Sequence, residues 1–61
     1  MENVRIIIVD DDVSIVQTIK EILELTGYDT DTADTAKEGL DKIRRNDYNL
    51  ALFDIMLPDM L

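Results

Sequence analysis

The strongest constraint on the fold is a pattern that occurs twice, a short apolar run that ends in acid. Val4-Arg5-Ile6-Ile7-Ile8-Val9 runs into Asp10-Asp11-Asp12, and Leu50-Ala51-Leu52-Phe53 runs into Asp54, with Pro58 a little further on. Apolar runs without alternation, the first of them β-branched, suit strands covered on both faces, as in a parallel sheet. A carboxylate buried without a partner is costly or shifts its pKa. Each acid therefore belongs at the open end of its strand. Two such strands side by side gather at least three carboxylates at one edge of a sheet.

The residues between can bring those ends together. Asp12 or Ser14 can cap a helix beginning near Val13, and Ser14 and Gln17 have capping-box spacing. Ile15, Ile19, Ile22 and Leu23 mark its apolar face, widened by Val16. Gly27 stands at the usual left-handed position after the helix. Residues 28–32 alternate, with Tyr28, Thr30 and Thr32 against Asp29 and Asp31. That is a half-exposed edge strand whose acids discourage further pairing. Thr35-Ala36-Lys37-Glu38 is a second capping box, with Asp34 as an alternative cap. Ala36, Leu40 and Ile43 form the expected buried stripe. Gly39, which costs about 1 kcal/mol in a helix interior relative to alanine, would allow close packing on the sheet. Lys42, Arg44 and Arg45 suit the negative end of the helix dipole. Asn46-Asp47 is a turn, and residues 48–53 form the third strand.

The order β-α-β-α-β implies a right-handed α/β unit with a parallel three-stranded sheet. Ligands in such sheets bind at the carboxyl ends of the strands, where the strand order reverses. Sheet order 2-1-3 makes the first and third strands neighbours and puts both acidic ends there.

A chain of 61 residues holds at most one small domain, burying only about 60% of its unfolded surface. It has no cysteine and no histidine. The net charge of −8 makes nucleic acid and anionic membrane surfaces poor partners. No apolar run approaches the roughly 18 residues of a membrane span. Met1-Glu2-Asn3 carries no basic region of a signal peptide, so a cytoplasmic location is expected. A hydrophobic content of 46% is too high for a disordered acidic tail.

Strands in a sheet lie about 4.8 Å apart, so Asp54 should approach Asp10 or Asp11. Like charges at that distance are relieved by a raised pKa or a bound cation. The all-oxygen ligand set favours Mg²⁺ (or Mn²⁺ or Ca²⁺) over zinc or copper. A carboxylate beside such an ion can attack a phosphoryl group. The plainer readings are a solvated turn and helix cap for Asp10-Asp11-Asp12, a strand-end cap for Asp54, and solvated loop for Asp59. Asp12 suits the cap better than the ion. No G-x-G-x-x-G follows the first strand, which excludes a dinucleotide fingerprint. Asp29, Asp31 and Asp34 lack the glycine and terminal glutamate of an EF-hand.

Ile7-Ile8-Val9-Asp10-Asp11-Asp12, then Thr32-Ala33, then Leu52-Phe53-Asp54-Ile55-Met56-Leu57-Pro58-Asp59-Met60 resemble the first half of a response-regulator receiver domain of two-component signalling. The resemblance runs the length of the chain and implies a flavodoxin-like fold. By that resemblance Asp54 is the phosphoacceptor, Asp10 and Asp11 hold Mg²⁺ (or Mn²⁺), and the backbone carbonyl of Met56 is a further ligand. Pro58 matches the proline of the loop after the acceptor strand. The donor would be a histidine kinase or a small phosphodonor such as acetyl phosphate, and the module is not itself an enzyme. The family's fourth-strand Ser/Thr and fifth-strand Lys have no counterpart in residues 1–61. The segment therefore reads as a truncated receiver, with weak or absent phosphotransfer. Its third strand, central in the whole fold, becomes an edge, which suggests a homodimer completing the sheet or core. Two alternatives stand beside this: a half-fold interaction module with no chemistry, and a fragment of a haloacid-dehalogenase-type phosphatase. The latter would use Asp10-x-Asp12, with Asp10 rather than Asp54 as the acceptor.

Overall fold

The computed structural model describes residues 4–54. Five elements follow in order: β1 (Arg5–Val9), α1 (Val13–Leu25), β2 (Asp29–Ala33), α2 (Ala36–Arg45) and β3 (Leu50–Phe53). The strands form one parallel sheet in the order β2-β1-β3, as expected. β1 is central: Val9 aligns with Ala33 on one side and with Phe53 on the other.

Alternation along β1 divides the core in two. Ile7 and Val9 pack with Ala33, Ala36, Ile43, Tyr48 and Phe53 on the α2 face. Ile6 and Ile8 pack with Val16, and with the partly buried Ile19, Leu23, Tyr28 and Leu52, on the α1 face. This two-sided cover explains why β1 reads as a continuous apolar run. Each fully buried Ile or Val contributes about 1.5–3 kcal/mol through removal from water.

The cap of α1 is Asp12, whose carboxylate accepts from Ser14 N at 3.0 Å and Ile15 N at 3.2 Å. Ser14 lies inside the helix, and its carbonyl accepts from the Thr18 hydroxyl, so the expected Ser14–Gln17 capping box is not the start of α1. The buried stripe is also narrower than expected. Val16, Ile19 and Leu23 meet the sheet, while Ile15 and Ile22 are 47% and 58% exposed. Both lie one residue before that stripe, a rotation of about 100° around the helix. At the other end Gly27 has φ 100°. Its N–H donates to Glu24 O, and Tyr28 N–H donates to Leu23 O. This pair of bonds is a Schellman closure, and its outer residues Leu23 and Tyr28 both pack against the α1-face core.

α2 begins as the sequence suggests, with the Thr35 hydroxyl accepting from Glu38 N. Its seat differs from the expected stripe. Gly39 is buried beside Ala36, and Leu40 is 51% exposed. A Cβ on Gly39 would stand 2.6 Å from Val9 Cγ2 and 3.0 Å from Cγ1. The helix settles directly on β1 because no side chain intervenes.

Polar groups fasten the same face. Lys42 Nζ donates to Thr32 O at 2.6 Å and to Asp31 Oδ1 at 3.3 Å, and pairs with Glu38 at 3.5 Å. The Tyr48 hydroxyl donates to Asp31 Oδ2, and the Arg5 guanidinium lies 5.0 Å from the Tyr48 ring centre. Burial pushes the Asp31 carboxyl up, but hydrogen bonds from Tyr48, Thr32 N–H and Lys42 outweigh it and hold it below the usual aspartate value. Burial, then the bond to Asp31, raises the Tyr48 hydroxyl. The β3 ladder starts at Leu50 rather than at residue 48. Asn49 bridges the gap: its N–H donates to Arg5 O and its side chain accepts from Arg5 N, both at 2.8 Å.

Candidate functional site

The site is built by the register of the sheet. Val9 is the last paired residue of β1 on both sides. The next residue of β1, Asp10, donates its N–H to Ala33 O at 3.1 Å, and Asp54 donates its N–H to Val9 O at 2.9 Å. The two aspartates thus leave adjacent strands at the same level. Carboxylate oxygens of Asp10, Asp11 and Asp54 lie within 4.8 Å of one another. Asp10 and Asp54 are half-buried and Asp11 is exposed. Asp10 Oδ1 accepts from Asp12 N at 2.9 Å, which fixes the bend after β1. A recess of about 300 Å³, lined by Ile8, Ile15, Ile19 and Leu52, opens beside Asp10 and Asp54.

The fourth acid is used differently. Asp12 caps α1 through two backbone N–H groups. The sequence ranked these four acids in the same way, with Asp12 as the cap and the other three as the cluster. Met56 and Pro58, expected to supply a carbonyl ligand and the following loop, lie outside the described residues.

Three negative charges so close repel by about 1 kcal/mol per pair in bulk water, and by more where partly desolvated. A hard divalent cation removes that cost. Metal–oxygen bonds of about 2.0–2.1 Å for Mg²⁺ and about 2.3–2.6 Å for Ca²⁺ put two ligand oxygens at most about 4 Å and about 5 Å apart across one ion, and separations within 4.8 Å are of that order. The donor atoms are all oxygen, and the chain has no His or Cys to offer instead. The residues present therefore fit a hard divalent cation such as Mg²⁺, Mn²⁺ or Ca²⁺.

A family described as the response regulator receiver domain matches residues 6–61. The chain belongs to that family. Receivers are signalling modules, and this one is similar to a transcriptional regulatory protein CpxR homolog of Haemophilus influenzae, at 36% identity over 92% of the chain. It is also similar to the cell cycle transcriptional regulator CtrA of Caulobacter vibrioides, at 39% identity over the same share. In both cases the receiver match spans 24% of the relative. A crystal structure of a CheY-like response regulator receiver domain protein from Methanospirillum hungatei superposes with a TM-score of 0.93 and 56% identity. It covers 97% of this chain and 47% of the solved one. The chain thus spans about a quarter of its curated relatives and about half of that receiver. The phosphatase alternative loses its footing here: the matched family is the receiver, and the Asp12 carboxylate is taken up by the cap of α1.

The fastening of Asp31, Lys42 and Tyr48 was not foreseen. Its partners are 11 and 17 residues apart, and no local spacing in the sequence marks such a set. Among the described residues no helix is long and apolar enough to cross a membrane.

Proposed function

We propose that residues 1–61 are the first half of a two-component receiver and carry its phosphoacceptor, Asp54, and its cation ligands. Asp10, Asp11 and Asp54 would hold Mg²⁺ or Mn²⁺, with the carbonyl of Met56 as a further ligand and Pro58 in the loop beyond. The observation that carries this reading is the meeting of three carboxylates at the carboxyl ends of β1 and β3. The donor is a histidine kinase phosphohistidine or a small phosphodonor such as acetyl phosphate. A carboxylate oxygen of Asp54 bonds to phosphorus as the P–N bond of the phosphohistidine, or the P–O bond to acetate, breaks. The imidazole leaves and takes up a proton, or acetate leaves as the anion. A bound cation would offset the charge of the carboxylates and of the phosphoryl oxygens. The family's Ser/Thr and Lys partners of the phosphoryl group have no counterpart in these 61 residues, so a polypeptide limited to them should react slowly. Prolonged incubation with Mg²⁺ and acetyl phosphate, followed by acid quench and mass spectrometry, is the test. A phosphoryl adduct on the Asp54 peptide, absent from Asp54→Asn, is expected. Equal labelling of parent and variant would overturn the reading.

In a polypeptide limited to residues 1–61, the outer edge of β3 would favour a second property, association with another copy. Leu50-Ala51-Leu52-Phe53 carries no charge, Leu50 is 50% exposed, and β3 has one neighbour among the described residues. Uncharged edges pair with other strands. Sedimentation at micromolar concentration should show a homodimer; a compact folded monomer alone would refute it.

A further inference from the structure

We infer that Gly39 is a positioning residue for the carboxylate cluster, acting through Val9. The inference deepens the cation-site reading above and rests on it. Val9 is fully buried, and its β-branched side chain is stiff at χ1. Its carbonyl accepts from Asp54 N–H, and its chain neighbour is Asp10. Both half-buried acids therefore hang from the Val9 peptide. On the other side of Val9 stands the bare Cα of Gly39, so close that an added Cβ would fall 2.6 Å from Cγ2. Real Cβ atoms do not approach so near, and a close-packed interior gives way only by moving neighbours. α2 has little freedom to back off. Lys42, one turn further on, ties it to Thr32 O and Asp31 of β2. The displacement must then pass to Val9, and with it to Asp10 and Asp54.

Gly39→Ala should weaken Mn²⁺ binding about tenfold, the scale seen when groups supporting a ligand are disturbed. Amide exchange separates this from general loosening. The Asp10 and Asp54 amides should exchange faster in Gly39→Ala. The Asp29 amide, bonded to Val4 O at the far end of the same sheet, should keep its rate. Shortening Val9 restores the space, so Gly39→Ala with Val9→Ala should bind Mn²⁺ more tightly than Gly39→Ala alone. The inference fails if Gly39→Ala binds Mn²⁺ as the parent does, or if the double variant binds no better than the single one. Should the parent bind no Mn²⁺, the cation-site reading falls. The Asp10 and Asp54 amides then decide the positioning alone, with unchanged rates overturning it.

Discussion

The two faces of the sheet are built on different principles. On the α2 face a glycine lets the helix rest on β1, and the fit is fastened by Lys42, Asp31 and Tyr48. On the α1 face cover is apolar and partial: Val16, Ile19 and Leu23 meet the sheet while Ile15 and Ile22 stay largely in water. The α2 face holds Val9, and hence the peptide that carries Asp54, whereas the α1 face supplies the apolar wall of the recess beside it. Position is set on the tight face and room is left on the loose one.

The largest effect should come from the layer the two faces share. Ile7→Ala removes a fully buried side chain of the α2 face and should cost about 3–4 kcal/mol. Urea denaturation would measure it, and a loss below about 1 kcal/mol would mean that the tight face is not close-packed.

On the fastening itself, Tyr48→Phe should cost about 1 kcal/mol, allowing for the part-exposed Asp31. Its pH dependence has a definite sign. The Asp31 carboxyl is lowered in the folded state, so its contribution is present above the unfolded value near 4. It is lost as pH falls through the lower folded value. Glu24 is also lowered, first through its hydrogen bonds from Lys20 and Thr30, and acts in the same direction. The parent should lose stability on acidification below about pH 4, and Asp31→Asn should lose less. Identical acid profiles for the two proteins would remove Asp31 from the account.

Removing the cap of α1 by Asp12→Ala should cost about 1 kcal/mol, visible as a lower urea midpoint. The smallest effect belongs to the open side of the loose face. Ile22→Ser should change stability by less than about 0.5 kcal/mol. A loss comparable to that of Ile7→Ala would show that something covers Ile22 in solution.

Much of this was legible in the sequence, for identifiable reasons. Strand order and the acid cluster follow from apolar runs that end in aspartate, because register alone then brings Asp10 and Asp54 to one edge. Gly27 and Thr35 mark helix ends because left-handed backbone and orphan N–H groups demand those residue types. Helix rotation was harder to read. Ile15, Ile19, Ile22 and Leu23 satisfy helical spacing as well as Val16, Ile19 and Leu23 do. Only the position of the sheet selects the second set. Leu40 is misread for a related reason: hydrophobic patterning puts it in the buried stripe, whereas the close seating on the sheet expected of Gly39 leaves Leu40 half exposed. Asp31, read as an edge guard, is also the anchor of Tyr48, a contact that exists only once β2 and the start of β3 have been brought together.

Of four neighbouring aspartates, one holds a helix, and the other three, which meet at one sheet edge, are proposed as one cation site. Mn²⁺ titration of the parent beside Asp10→Asn, Asp11→Asn, Asp54→Asn and Asp12→Asn tests it most directly. Weaker binding is expected in the first three variants and near-parental binding in Asp12→Asn. If Asp54→Asn titrates like the parent, β3 does not contribute to the site and the claim is contradicted.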